Sequence, residues 1–200
     1  MFTPADSELE RGWPGRIDGG VVTQLAAQTL QSYFASGASA REHARYPLDQ
    51  VLLRTPVLEP PSIRVFEDAK TFSFANPTAI RSPGSEIPRP HGRLDAAQRL
   101  VAVIGAGGEI GGWTGLVELR APELATPKDR DFALVLGPAV ETEHADGFDW
   151  EAARALAAAN TRLRPGDLLA GPVLQMHEEI ASGGFVASFD GIGELAAFVG

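Results

Sequence analysis

Two short stretches of this sequence bring together side chains that can move protons or bind anions. The first is Lys128-Asp129-Arg130-Asp131-Phe132-Ala133. A lysine on a pocket wall can hold a carboxylate or an enolate, and burial would lower the pKa of its amine and make it a base. The second is Gln175-Met176-His177-Glu178-Glu179, where a histidine beside two acids can act as an acid–base group or a metal ligand. Adjacent residues alternate faces on a strand and lack ligand spacing, so a polar surface turn is the favoured interpretation of His177.

Other catalytic patterns are absent or incomplete in the sequence. The glycines of Val101 to Gly111 resemble a dinucleotide-binding turn, but the third glycine of G-x-G-x-x-G would fall at Ile110. The residues that follow, Gly112-Trp113-Thr114, are strand-like, so we predict a glycine-rich loop between two strands. No serine lies in a nucleophile-elbow context. The chain has no cysteine, which excludes disulfides, thiolate nucleophiles and zinc–thiolate sites.

Composition restricts the class of protein and its partners. A chain of 200 residues with 44% hydrophobic residues can bury one core, so we expect one domain with a small appendage. Its 17 Lys and Arg against 26 Asp and Glu leave a formal charge of -9, which argues against binding to nucleic acid or anionic lipid. The polar opening and the short apolar runs predict neither a signal peptide nor a membrane span. We therefore expect a soluble, cytoplasmic protein.

Short β-prone runs separated by turns dominate the rest of the sequence. Gly15 to Val22 predicts a hairpin, and Leu25 to Phe34 has near-helical spacing with Gly37 at its end. A second helix is predicted over Trp150 to Asn160, with Asp149 as its N-cap. Strands are predicted at Thr71 to Phe74, Leu100 to Ile104, Trp113 to Val117, Phe132 to Leu136, Leu168 to Ala170 and Phe185 to Phe189. This pattern favours an α+β, mainly β domain with mostly antiparallel pairing over a βαβ sheet.

Several segments together resemble the fumarylacetoacetate hydrolase family. Lys128 to Ala133, followed by Leu136-Gly137-Pro138, is similar to its "K-x-K-D-F-A … L-G-P" segment, and Leu58 to Arg64 is similar to its "P-P-S-I-R" linker. Phe72 to Pro77 and Gly191 to Leu195 match further family strands, so the resemblance covers almost the whole chain. It implies a mixed β-sandwich roll over residues 58–200, a small N-terminal α/β domain with linker over residues 1–57 and, by analogy, a homodimer. It also implies hydrolase, lyase or isomerase chemistry.

The same resemblance implies that the family's metal site is lost. Members typically bind Mg²⁺ or a similar hard cation through an Asp, a Glu-x-Glu pair and a second Asp. Those positions hold Val65, Ala97, Arg99 and Glu118 here. Hard divalent ions need several oxygen ligands, and only Glu118 supplies a carboxylate, while Arg99 brings a positive charge. We therefore expect no metal and no other cofactor, and Mg or Mn only if this matching of ligand positions is wrong.

The general-base machinery that the resemblance implies is also reduced. The family's "A-F-E-x-H" segment, which carries a histidine, is missing where Phe66-Glu67-Asp68-Ala69-Lys70 runs straight on to Thr71. Lys128, Glu118 and Arg99 are therefore the candidate catalytic residues, and Arg120, Glu123 and His177 are weaker candidates. We expect Glu118 to pair with Lys128 or Arg99 in place of a metal.

Two functions remain open at this stage. In the first, the protein is a metal-independent enzyme acting on a small oxo-acid or β-dicarbonyl compound, by C–C cleavage, decarboxylation or isomerisation. Arg99 and Lys128 would then supply positive charge to an enolate-like species. This reading predicts a closed pocket lined by Lys128, Arg99 and Glu118. In the second, the chain is a catalytically inactive paralogue serving as a dimerisation or partner subunit or as a ligand-binding protein. That reading predicts ion pairs among these side chains, or a filled pocket.

Overall fold

β-Strands are the commonest regular element of the protein, whose structure is a computed structural model. It describes residues 1–7, 11–143 and 147–200. The first part of the chain forms β1 (Phe2–Pro4), β2 (Gly15–Asp18), β3 (Val21–Leu25), α1 (Leu30–Ala35), β4 (Glu42–Pro47) and β5 (Val51–Leu53). The remainder forms β6 (Ile63–Asp68), β7 (Thr71–Ala75), β8 (Ile80–Arg81), β9 (Glu86–Ile87), β10 (Asp95–Ile104), β11 (Ile110–Arg120), β12 (Leu134–Glu141), α2 (Trp150–Ala158), β13 (Leu168–His177), β14 (Gly183–Phe189) and β15 (Gly193–Val199).

One large mixed sheet carries Arg99 and Glu118, two of the candidate catalytic residues. Its strand order is β7-β6-β13-β10-β11-β12-β8. The pairs β12–β8 and β13–β6 are parallel, and the other pairs are antiparallel. Smaller sheets are formed by β14-β15-β9, by β2-β3-β4 and by β1-β5. The predicted α+β, mainly β class with mostly antiparallel pairing is confirmed. Neither described helix is long and apolar enough to cross a membrane.

Strand β10 lies in the middle of this sheet and is buried along its whole length. Because side chains alternate faces along a strand, its even-numbered residues from Ala96 to Ile104 face one side and its odd-numbered residues from Ala97 to Val103 face the other. The even side packs in a core with α2 and with the β14-β15-β9 sheet. The odd side packs in a second core with Val65 of β6 and with α1. Any charged side chain on β10 is therefore enclosed and needs partners within the protein.

The two sheets that share the first core approach each other closely at Gly115 of β11. A Cβ atom placed there would come within 2.6 Å of the ring of Phe189 on β14. Glycine at this position lets the aromatic ring lie directly on the backbone of the large sheet.

The local predictions agree with the structure at most elements. Helix α2 begins after Asp149, whose carboxylate accepts a hydrogen bond from the backbone amide of Ala152. The β2–β3 hairpin is present, and the predicted glycine loop joins β10 to β11 through a short 3₁₀ turn in which Gly107 has a φ of 67°. Helix α1 is shorter than predicted: Leu25 ends a strand, and the capping box of Thr29 and Ser32 starts the helix later. The boundary at residues 57 and 58 stays a prediction.

Candidate active site

A fully buried arginine lies at the centre of the large sheet. Arg99, on β10, has none of its side chain exposed. Its Nε donates to Glu118 Oε2 at 3.1 Å, and its Nη2 donates to Glu67 Oε1 at 2.8 Å. Its Nη1 donates to the backbone carbonyls of Gly171, at 2.8 Å, and Phe66, at 3.3 Å. The guanidinium thus sits among four oxygen acceptors, two of them carboxylate oxygens.

Glu118 is the buried counter-charge of this arginine. It lies on β11 directly opposite Ala97, and its side chain is 3% exposed. Besides Arg99, it accepts bonds at Oε2 from Arg120, at 2.7 Å from Nη2 and 3.2 Å from Nε. A buried carboxylate is tolerated only with such pairing, because desolvation of an unpaired ion costs several kcal/mol. Of the two partners expected for Glu118, the structure has Arg99 and not Lys128.

The four positions matched to the family's metal ligands lie on one side of the sheet. Val65 belongs to β6, Ala97 and Arg99 to β10, and Glu118 to β11. Val65 joins Val101 and Leu116 in the core on that side, and Ala97 is completely buried. Folding therefore brings together two aliphatic side chains, one cation and one carboxylate.

A small cavity of about 110 Å³ opens beside Glu118. Its apolar lining includes Val65 and Pro127, and the charged residues on its wall are Glu118, Arg130 and Asp131. Ser73, Phe74, Ala75, Asn76 and Thr126 complete the lining. Arg99 and Lys128 are not part of this wall.

Lys128 lies on the surface next to this cavity. Its side chain is 71% exposed, and its Nζ is 2.7 Å from Asp131 Oδ2. The hydrogen bond from Lys128, together with one from Asn76, holds the pKa of Asp131 below its ordinary value. Lys128 is therefore an exposed side chain paired with Asp131 and not the buried pocket residue that the sequence suggested.

The weaker candidates separate into different environments. Arg120 binds Glu118, as described above. Glu123 lies in an exposed loop, where its Oε1 accepts from the backbone amide of Arg93 at 3.3 Å. His177 is not in a surface turn: it ends β13, opposite Ala96, where its ring lies 3.4 Å from Gln98 Oε1 and packs against Phe185. Because Ala96 and Gln98 face away from Arg99, His177 lies on the other face of the sheet from Glu118.

Two residues that the sequence analysis did not select belong to this region. Glu67 supplies the second carboxylate to Arg99, although its own side chain is 62% exposed. Arg130 contributes to the cavity wall. Its position was signalled by the "K-x-K-D-F-A" match, in which it replaces the second lysine with another cation. No sequence pattern predicts that Glu67 lies next to Arg99. The two residues meet because β6 pairs with β13 and β13 pairs with β10.

Comparison with solved structures shows which fold this is. Maleylpyruvate hydrolase from Sphingobium sp. SYK-6 is similar over 95% of this chain and 96% of that chain, with a TM-score of 0.74 and 21% sequence identity. A structure of that enzyme with manganese(II) ion and pyruvate has a TM-score of 0.75 at 20% identity and covers 95% and 96% of the two chains. 5-Carboxymethyl-2-hydroxymuconate delta-isomerase from Mycobacterium smegmatis has a TM-score of 0.73 at 18% identity, covering 94% and 93%.

This chain has the fold of the fumarylacetoacetate hydrolase family. No protein-family model matches the sequence, and no curated protein matches it. Several of the structural neighbours are named as hydrolases or isomerases. At these identities the likeness establishes the fold, and the site has to be judged on its own residues.

The residues present at this family's metal position do not fit a hard divalent cation. Mg²⁺ and Mn²⁺ need several oxygen ligands with negative charge. The side chains of Val65 and Ala97 have no donor atoms, and the guanidinium of Arg99 already bonds to Glu118 and Glu67. Among the described residues, no group of three or more His, Cys, Asp or Glu side chains could hold a metal ion.

Proposed function

We propose that this protein binds a small oxo-acid or β-dicarbonyl compound at the cavity beside Glu118, without a bound metal. The observation that carries the ligand site is the cavity itself, whose wall combines the charged Glu118, Arg130 and Asp131 with the apolar Val65 and Pro127. The observation that argues against a metal is the buried guanidinium of Arg99. It stands at a position that the sequence comparison matches to one of the family's metal ligands, and it is held by Glu118, Glu67 and two backbone carbonyls. Support for the ligand class comes from the neighbours, since the Sphingobium enzyme is named for maleylpyruvate and was crystallised with pyruvate.

The ion pairs favour ligand binding over efficient turnover. Enolisation or C–C cleavage of an oxo-acid needs a base that accepts a proton and a positive charge that stabilises the enolate oxygen. Positive charge is available from Lys128. Proton acceptors are weak, because the pKa of Asp131 is lowered by Lys128 and Asn76, and Glu118 already accepts three hydrogen bonds from Arg99 and Arg120. Of the two functions, these contacts therefore favour the catalytically inactive, ligand-binding protein over the metal-independent enzyme.

Metal-independent catalysis is the second candidate, and one observation favours it. The amine of Lys128 is 2.7 Å from Asp131, which lines the cavity, so a modest rearrangement would bring the ammonium group to a bound carbonyl oxygen. In this case Lys128→Met would abolish turnover while Arg45→Met, at an exposed site on β4, would not.

One experiment separates the two candidates. Exchange of the methyl protons of pyruvate in D₂O and decarboxylation of oxaloacetate are followed by NMR with excess EDTA present, alongside pyruvate binding by ligand-observed NMR. Binding without exchange or decarboxylation above the buffer rate supports the ligand-binding role. Turnover that Lys128→Met removes supports the enzyme. Loss of binding when EDTA is added would contradict the proposal, because a metal would then be required.

We also propose that the chain forms a homodimer. Phe74 on β7 and Leu174 on β13, two strands of the large sheet, are 69% and 55% exposed, and an interface between two copies would cover this apolar surface. Light scattering coupled to size exclusion measures the mass directly. A monomer of 21.2 kDa at micromolar concentration would contradict the proposal.

A further inference from the structure

We propose that Arg130 anchors the ligand in the cavity beside Glu118, by holding the carboxylate of a monocarboxylate with only a few heavy atoms. This inference rests on the function proposed above and adds the residue that recognises the ligand and the size of ligand that fits. Three features of the cavity support it: the ion pairs of its wall, the shape of the guanidinium, and its volume.

Among the described residues, the ion pairs of the cavity wall leave one cation without a counter-ion. Glu118 has its partners in Arg99 and Arg120, and Asp131 has its partner in Lys128. The guanidinium of Arg130 has no hydrogen bond or ion pair with any residue in the described ranges; only its backbone amide is bonded, to the carbonyl of Pro127. Each acid on the wall is therefore already paired, and the free positive charge belongs to Arg130. An anion is the ligand that completes this arrangement.

The chemistry of a guanidinium narrows the anion to a carboxylate-like group. Arginine presents parallel N–H donors in a planar fork that matches the two oxygens of a carboxylate. Polar side chains from Ser73, Asn76 and Thr126 surround the same space and can bond to a neighbouring carbonyl oxygen. Val65 and Pro127 provide an apolar surface for a short carbon chain.

The volume of the cavity limits the ligand to a short acid. The space is about 110 Å³, whereas pockets for drug-sized ligands span about 300–1,000 Å³. A compound of the size of pyruvate is compatible with this space, and a longer dicarboxylate would have to place its second charged group against the paired carboxylate of Glu118. Short monocarboxylates are therefore expected to bind more tightly than 2-oxoglutarate.

Pyruvate is the probe for the test, with binding followed by ligand-observed NMR at low salt and in the presence of EDTA. Arg130→Met removes the charge and keeps the length of the side chain, and it should weaken pyruvate binding at least tenfold. Arg130→Lys keeps the charge but loses the fork, and it should weaken binding about threefold or more. The matched control is Arg45→Met, which makes the same change of net charge at an exposed site on β4 and should leave binding unchanged.

A second variant distinguishes failure of this inference from failure of the proposed function. Ser73→Trp fills the cavity from its exposed wall and should abolish pyruvate binding. If Ser73→Trp abolishes binding but Arg130→Met and Arg130→Lys bind like the unmodified chain, the site is correct and Arg130 is not its anchor. If 2-oxoglutarate binds as tightly as pyruvate, the size argument is wrong. If pyruvate does not bind to the unmodified chain at millimolar concentration, both the inference and the proposed function fail.

Discussion

Replacement of Arg99 by methionine should destabilise the protein strongly, because Arg99 is a buried charge with four acceptors. Methionine fills much of the same volume but leaves the carbonyls of Phe66 and Gly171 without this donor. An unsatisfied buried acceptor costs about 1–3 kcal/mol. Glu118 keeps its hydrogen bonds to Arg120, so its carboxylate is not left as an unpaired buried charge. The ion pair between Arg99 and the exposed Glu67 contributes about 0–1 kcal/mol to stability. Together these contributions amount to about 2–7 kcal/mol. This range contains the loss of about 3–5 kcal/mol expected when one partner of a buried pair is removed.

Urea unfolding, followed by tryptophan fluorescence and circular dichroism, measures this loss in the free energy of unfolding. Arg154→Met is the matched control, since Arg154 also contacts two carboxylates, Glu109 and Glu151, but both are more than 60% exposed. It should cost less than about 1 kcal/mol. Glu118→Gln combined with Arg99→Met should cost less than the sum of the two single changes, because the two residues share one interaction. The reasoning is refuted if Arg99→Met costs no more than Arg154→Met.

Three further predictions follow from single features. The unmodified chain should show no stoichiometric binding of Mn²⁺ in titration calorimetry, because the side chains of Val65 and Ala97 offer no ligand atoms. A Kd at or below the micromolar range would contradict the conclusion that these residues do not fit a divalent cation. Asp149→Ala should lower the free energy of unfolding by about 1 kcal/mol through loss of the α2 cap, while Glu151→Ala in the same turn should cost less than about 0.5 kcal/mol; equal costs would contradict the capping role. The pKa of buried Asp95 is lowered by Arg93 and by the amide of Glu179. The ionised carboxylate should therefore stabilise the folded protein above about pH 4, and this stabilisation should be lost as the pH falls through the lowered pKa of Asp95. Asp95→Asn should therefore destabilise the protein at pH 7 and have little effect near pH 2, as measured by urea unfolding at both pH values; an equal effect at both would argue against this linkage.

Much of the fold could be predicted because its signals are local. The alanine-rich segment after Asp149 has a cap and helical spacing within a dozen residues, and helix α2 forms there. The apolar run Leu100 to Ile104 predicts a strand buried on both faces, and β10 is such a strand. The end of β3 at Leu25 was missed because its apolar spacing also suits a helix, and only pairing with β4 decides between the two.

The candidate site was predictable only in part, for a related reason. The sequence match placed Arg99 and Glu118 at neighbouring family positions, and their pairing followed from opposite charge. The match also placed Lys128 in the site, but the structure leaves its side chain exposed and bonded to Asp131, three residues away. The exposure of a side chain depends on the path of the loop between β11 and β12, which local pattern does not specify.

Local sequence signals were enough to predict the class of fold, the main strands and helix α2, and to match two aliphatic residues, a cation and a carboxylate to the family's metal ligands. Each of these depends on periodicity, caps or the identity of residues, which are properties of short segments. The remaining features became visible only in the folded structure. Glu67 and two backbone carbonyls complete the shell around Arg99, and His177 lies on the opposite face of the sheet from Glu118. Arg130 lines the cavity with no side-chain partner among the described residues. These features join residues that are far apart in the chain, and their contacts are set by strand order and register, where a shift of one residue would turn each side chain to the other face.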